Sequence, residues 1–174
     1  METDRLILRG LQPGDEKHIF EIRNSDYVMK YNAMKPSTME ELQEEIKKEM
    51  ESEDTYCMVL KETNEFIGMI FLSQDSLRYR VNALCLSYYL GEQYASKGYM
   101  TEALREIIRY VFEDRGVDVL SVRAFKANEA SIRLIEKLGF VYEGCIRRCV
   151  KGYQDIIYDD MVYSILKEEY NACL

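Results

Sequence analysis

The scarcities of this 174-residue chain narrow its function before any motif is read. It holds one histidine, His18, so a histidine-based metal site and a Cys-His or Ser-His nucleophile both lack a partner group. His18 falls on a predicted helix and reads as a surface or boundary residue. The five cysteines, Cys57, Cys85, Cys145, Cys149 and Cys173, are odd in number and form no C-x-x-C pair, so they read as buried free thiols, and no metal is expected. Two prolines and nine glycines leave no linker-like stretch, and no repeat or low-complexity segment is visible. No apolar run approaches the roughly 18 residues of a membrane span. The opening METDRLILRG is charged and has no signal-peptide core, so a cytoplasmic protein without a membrane partner is expected.

What is present fits one domain over residues 1–174, with 47% hydrophobic residues to build its core. Thirty-one acidic against 23 basic residues give a net charge of −8, which argues against a nucleic-acid partner and admits a cationic one; solubility explains the charge equally well.

The most ordered pattern lies between Leu84 and Phe112. An apolar run, Leu84 to Leu90, enters a polar turn from Gly91 to Lys97, followed by Leu104, Ile107, Ile108, Val111 and Phe112 at helical spacing. Strand, tight turn and helix in that order bring unpaired N–H groups and the positive end of the helix dipole to one point beyond the strand, a place suited to phosphate. Around it, residues 4–10 alternate as a first strand, and Pro13 opens a helix with Ile19, Phe20 and Ile22 inward. Residues 26–36 read as an ordered loop. Ser37 and Glu40 read as a capping box for a helix striped by Leu42, Ile46 and Met50, whose other faces are acidic. Residues 56–61 and 66–72 form a hairpin, 78–89 the next strand and 117–125 another. Asn128 caps a helix that stops at Gly139, and strands 140–150 and 156–166 close the chain through Lys151-Gly152-Tyr153. The order β α α β β β α β α β β predicts an α/β domain with a mixed, mostly antiparallel seven-stranded sheet and about four helices.

The runs YYLGEQYASKGYMTEAL and NEASIRLIEKLGF, at this separation, resemble the two core motifs of the GNAT superfamily of CoA-dependent N-acetyltransferases, in the branch that acetylates N-termini of ribosomal proteins. The resemblance implies a splay between central strands: Tyr89 and Leu90 end one lip, residues 122–125 form the other, and the pantetheine arm of acetyl-CoA lies between them. It further implies that Ala95, Ser96, Lys97, Gly98, Tyr99, Met100 and Thr101 hold the pyrophosphate. Gly98 is kept, whereas Ala95 replaces a Gln or Arg, Ser96 stands where this branch usually has Gly, and Met100 replaces a small residue. Thr101 reads as a helix cap.

By the same resemblance Asn128 contacts the pantetheine arm, and Ser131 is the candidate proton donor to the departing thiolate. N–H groups near Leu90 suit the carbonyl oxygen. Relatives often carry a Glu on the central strand where this chain has Cys85, so Asp155, or a water chain reaching Glu143 or Asp155, is the candidate base. A Cys85 acetyl-enzyme would lack a histidine to activate it. The expected reaction is direct acetyl transfer from acetyl-CoA to a primary amine, foremost a peptide or protein N-terminal α-amine, by a chain acting alone or as a homodimer. A polyamine or another small amine is the alternative acceptor, and a non-catalytic acyl-CoA sensor the alternative of another class.

Overall fold

A computed structural model describes residues 1–33 and 35–172. Cys173 and Met34, read above as a free thiol and as part of an ordered loop, lie outside the described residues.

Seven strands form one sheet in the order β1-β2-β3-β4-β5-β7-β6. In chain order they are β1 (Leu6–Arg9), β2 (Thr55–Leu60), β3 (Phe66–Gln74), β4 (Ala83–Leu90), β5 (Val119–Phe125), β6 (Val141–Lys151) and β7 (Ile157–Leu166). Every neighbouring pair is antiparallel except β4 and β5. That pair is parallel because the chain crosses over between them through a helix, the connection a parallel pair requires. The crossover is α4 (Tyr99–Arg109), which runs on into a wider π-type turn, Tyr110–Asp114.

Strand alternation sends side chains to two separate cores. On one face Leu86, Leu120 and Val122 pack with Leu104, Ile107, Val111 and Phe112 of the crossover and with Ile135 of α5 (Glu129–Lys137). On the other, Cys57, Val59, Phe66 and Met69 pack with Ile19 and Ile22 of α1 (Asp15–Arg23) and Leu42 and Ile46 of α3 (Met39–Glu49). Successive residues of β4 serve different cores: Tyr88 packs against the first and Tyr89 against the second.

Several local expectations shift. The capping box of α3 is Thr38 with Glu41, one residue later than Ser37 with Glu40, because Asn24 ties down the backbone of Ser37 on both sides (Ser37 N–H to Oδ1 3.1 Å; Nδ2 to Ser37 O 2.9 Å). Met50, expected in that helix's apolar stripe, is exposed. Within the presumed 26–36 loop, Asp26–Met29 forms a short helix, α2, capped by Ser25. β4 starts at Ala83, not Arg78: Asp75 accepts from the Leu77 N–H (2.9 Å) and pairs with Arg78, holding that stretch as a turn. A further helix, α6 (Lys167–Ala172), follows β7, so among the described residues six α-helices accompany the sheet where about four were expected.

Candidate active site

Between β4 and β5 the parallel register runs from Ala83 opposite Val119 to Leu86 opposite Val122 and then stops. β4 continues through Ser87–Leu90 and β5 through Arg123–Phe125, and among the described residues these ends have no register with each other. The strands are splayed because each is held on its outer side, β4 by β3 up to Gly68 opposite Leu90, and β5 by β7 up to Phe125 opposite Asp160. Gly91 N–H donates to Ile67 O at 2.9 Å. Alternation along an antiparallel ladder therefore turns the peptide groups of Leu90 and Tyr88 away from β3 and into the gap. The gap thus presents backbone donors and acceptors to an extended ligand, and Leu90 N–H is the donor nearest its mouth.

Beyond β4 the chain makes a short 3₁₀ turn, Glu92–Tyr94, and enters α4. Gly98, at φ 81°, is the N-cap of α4; Thr101 is the third helical residue and does not cap. The first helical bond is Glu102 N–H to Gly98 O (3.0 Å), so the N–H groups of Tyr99, Met100 and Thr101 precede it. Ser96 also adopts a left-handed conformation, φ 60°, a region that favours glycine over other residues. Ser96, Lys97 and Gly98 are exposed, whereas the Met100 side chain is buried in the core and offers only its N–H.

Sequence reasoning missed a cation at this turn. Arg5 of the first strand region donates to Lys97 O (3.1 Å), pairs with Glu102 (2.7 Å) and stacks on the Tyr99 ring at 4.5 Å. A Cβ built on Gly98 would find only Arg5 Nη2 nearby, at 3.4 Å. An open turn with three free helix N–H groups, Arg5 and Lys97 fits a pyrophosphate. Nothing within ninety residues of the turn announces Arg5, so only the fold reveals it.

At the other lip, Asn128 Oδ1 accepts the Ser131 N–H (3.2 Å) and caps α5, as its sequence position predicts. Ser131 Oγ lies 2.7 Å from Tyr88 Oη, across the gap on β4. Burial pushes the Tyr88 phenol up to about 12. One cavity of about 1130 Å³ joins these parts. It is lined at one end by Ala95, Ser96 and Gly98 to Thr101, in the middle by Tyr88, Tyr89, Leu90, Asn128 and Ser131, and at the far end by α2, α3 and the β5–β7 lip. Lys97 borders the turn but does not line it.

The far end holds four carboxylates, each engaged: Glu45 with Arg23 (2.8 Å), Glu49 with the Thr55 hydroxyl (3.0 Å), Asp54 with Arg115 (2.7 Å), and Asp160 with Arg123 (2.6 Å). Asp160 is buried, which raises its carboxyl above the ordinary range, with Arg123 opposing part of that rise. Asp155 is not brought into this set. It sits on the exposed β6–β7 turn, and Lys151, 2.8 Å away, holds its carboxyl below the ordinary range. Glu143 is likewise elsewhere, accepting from Ser164 and paired with Arg78. Burial raises the Cys85 thiol and so keeps it protonated. Cys57, Cys85, Cys145 and Cys149 are free thiols, but of these only Cys57 is buried as expected: Cys85 and Cys149 are half-buried, and Cys145 is exposed on β6 at the edge of the sheet. No metal-holding cluster occurs among the described residues. Among those residues, too, no helix is long and apolar enough to cross a membrane.

A splayed parallel pair with a phosphate-suited turn at its open end suits an extended ligand that carries a pyrophosphate, the form of a coenzyme A thioester, and comparison with known proteins gives the family. The model of the acetyltransferase (GNAT) domain matches residues 5–141, and the chain belongs to that family. It is an acetyl-CoA-dependent N-acetyltransferase. The uncharacterized N-acetyltransferase YoaA of Bacillus subtilis is 29% identical over 180 residues, covering 96% of each chain. Among solved structures, a GNAT-family acetyltransferase from Bacillus anthracis superposes with a TM-score of 0.87 at 24% identity, covering 97% of this chain and 99% of the other. A spermidine N-acetyltransferase from Vibrio cholerae, solved with CoA and spermine, superposes with a TM-score of 0.82 at 21% identity, covering 95% and 98%.

Proposed function

We propose that the acceptor is an α-amine, as at the N-terminus of a peptide or protein, and that the chain transfers acetyl to it directly. The observation that carries this reading is the arginine pairing of three of the four carboxylates that reach the cavity. Glu45, Asp54 and Asp160 are each paired with an arginine, Glu49 accepts from the neutral Thr55 hydroxyl, and the other acids of α3, Glu40, Glu41 and Glu44, do not line the cavity. A polycation would need more than the one charge that Glu49 leaves without an arginine there. An α-amine, with a pKa of about 7.7–8.0, is roughly 10% neutral at pH 7 and needs little beyond positioning.

Acetyl-CoA supplies the thioester. The N–H groups of Tyr99, Met100 and Thr101, with Arg5 and Lys97, hold its pyrophosphate. The gap edge of β4 pairs with its amide arm, Asn128 meets that arm from the opposite lip, and the Leu90 N–H meets negative charge gathering on the carbonyl oxygen. Ser131 gives a hydrogen bond to the sulfur as the C–S bond breaks and the C–N bond forms, and keeps its own hydrogen because a serine hydroxyl is a far weaker acid than a thiol; the sulfur leaves as a hydrogen-bonded thiolate that takes its proton from water. A free thiol titrates near ~8.5, so this leaving group needs only modest help. The amine's proton passes to Asp160, which we place as acceptor ahead of Asp155 because it is the one carboxylate that the sheet presents to the cavity among the described residues.

The test is kcat/KM for a short free-N-terminus peptide against spermidine, from pH 6.5 to 9.5 at two salt concentrations. Preference for the peptide at both is expected. Preference for spermidine, strongest at low salt, would reverse the assignment.

A further inference from the structure

We propose that Tyr88 is a positioning residue that aims the Ser131 hydroxyl at the departing sulfur; this rests on the reading of Ser131 as the hydroxyl that serves the sulfur. Ser131 is fixed from two directions. Its N–H is held by Asn128 Oδ1 at 3.2 Å, which sets the first turn of α5, and its Oγ is 2.7 Å from Tyr88 Oη. The two side chains come from different elements, β4 and α5, on the two lips of the gap.

A serine hydroxyl has one hydrogen to give and two lone pairs to receive with. A phenol is the better donor and the poorer acceptor of such a pair, so the favoured direction is Tyr88 Oη–H to Ser131 Oγ. That leaves the single serine hydrogen uncommitted to the protein and directs it away from Tyr88, into the cavity that both residues line. Receiving a hydrogen bond also polarises the serine O–H and makes it a stronger donor. Without Tyr88, the serine hydroxyl would be free to rotate and to spend its hydrogen elsewhere.

The phenol is not itself the proton source. Its pKa is pushed up to about 12 by burial, against roughly 8.5 for a free thiol, so handing its proton to a thiolate is disfavoured on the order of a thousandfold, and the serine hydroxyl, intrinsically a weaker acid than a phenol, gives the sulfur a hydrogen bond and likewise not its proton. Its part is to orient and polarise. A tyrosine on β4 thus completes a hydroxyl pair with the helix serine, and alternation, which sends Tyr88 and Tyr89 to opposite cores, is what puts it there.

The experiment is a double-mutant cycle of Tyr88→Phe and Ser131→Ala on the whole chain, reading kcat, KM for acetyl-CoA, and the melting-temperature shift on adding acetyl-CoA. Phe keeps the ring in its packing and removes only the hydroxyl. Tyr88→Phe is expected to lower kcat about tenfold. KM and the thermal shift should stay near parent values. Ser131→Ala should lower kcat on the order of a hundredfold. Adding Tyr88→Phe to it should change nothing more, because the hydroxyl it acts through is gone. An unchanged kcat for Tyr88→Phe, or the same loss in both backgrounds, overturns the positioning role, the second outcome assigning the effect to packing. Parent-like turnover in Ser131→Ala overturns the Ser131 reading itself, and with it this one.

Discussion

Gly68 on β3 lies so close to the backbone carbonyl of Tyr89 on β4 that a Cβ at Gly68 would fall within the oxygen's van der Waals envelope. The contact sits at the pair that ends the β3–β4 register, opposite Leu90, where the gap opens. Because the obstructing atom is backbone, no rotamer change relieves it. Gly68→Ala should therefore lower stability by about 1–3 kcal/mol, read by urea unfolding, and also weaken acetyl-CoA binding by shifting the Leu90 peptide. A variant as stable as the parent would show that β4 can yield here.

Gly98→Val should abolish stabilisation by acetyl-CoA. The position combines φ 81° with open space on the side where the phosphate approaches, so a branched side chain both strains the backbone and fills the site. The strain costs about 1–2 kcal/mol without ligand. Thermal melts with and without acetyl-CoA separate the two effects, and a normal ligand shift in the variant would dismiss the phosphate turn.

Acid should loosen the start of α1. Burial alone would raise the Asp15 carboxyl, but the Arg9 guanidinium at 2.7 Å and the Gln12 N–H at 2.8 Å outweigh it and hold the group below its ordinary value of 3.8. A depressed carboxyl contributes stability that is complete above the unfolded value and disappears as pH falls through the folded one. Asp15→Asn should cost on the order of 1–3 kcal/mol at pH 7 and flatten the fall in stability below about pH 4. Equal acid slopes for variant and parent would remove Asp15 as a cause.

The two candidate proton acceptors are separable by substitution. Asp155→Asn should leave kcat/KM within twofold of the parent, since its carboxylate is fully exposed and tied to Lys151. Asp160→Asn should lower kcat/KM for the amine at least tenfold while the acetyl-CoA thermal shift persists. Turnover that follows Asp155 instead would move the base to the β6–β7 turn.

Much of this was legible because periodicity and capping are local. The stripe from Leu104 to Phe112 gave the crossover helix, and Asn128 and Gly139 bracketed α5 as their residue types require. The family motifs pointed to the gap and the turn. What stayed hidden depended on contacts distant in sequence. Arg5 reaches the phosphate turn through pairing with Glu102, and Tyr88 meets Ser131 only once β4 and α5 face each other. Asp160 looked like any strand carboxylate until the sheet buried it beside Arg123. The misplaced start of β4 has a local origin instead, since Asp75 and Arg78, three residues apart, hold a turn that composition alone does not reveal.

The short β4–β5 register also divides the sheet into two leaves that share one core beneath α4. Strands β1 to β4 form one leaf and β5 to β7 another, joined in the sheet only from Ala83 opposite Val119 to Leu86 opposite Val122. A ligand that hydrogen-bonds to both lips extends that joint along the full length of β4. Amide exchange at Tyr88, Leu90 and residues 123–125 should therefore slow together on adding acetyl-CoA.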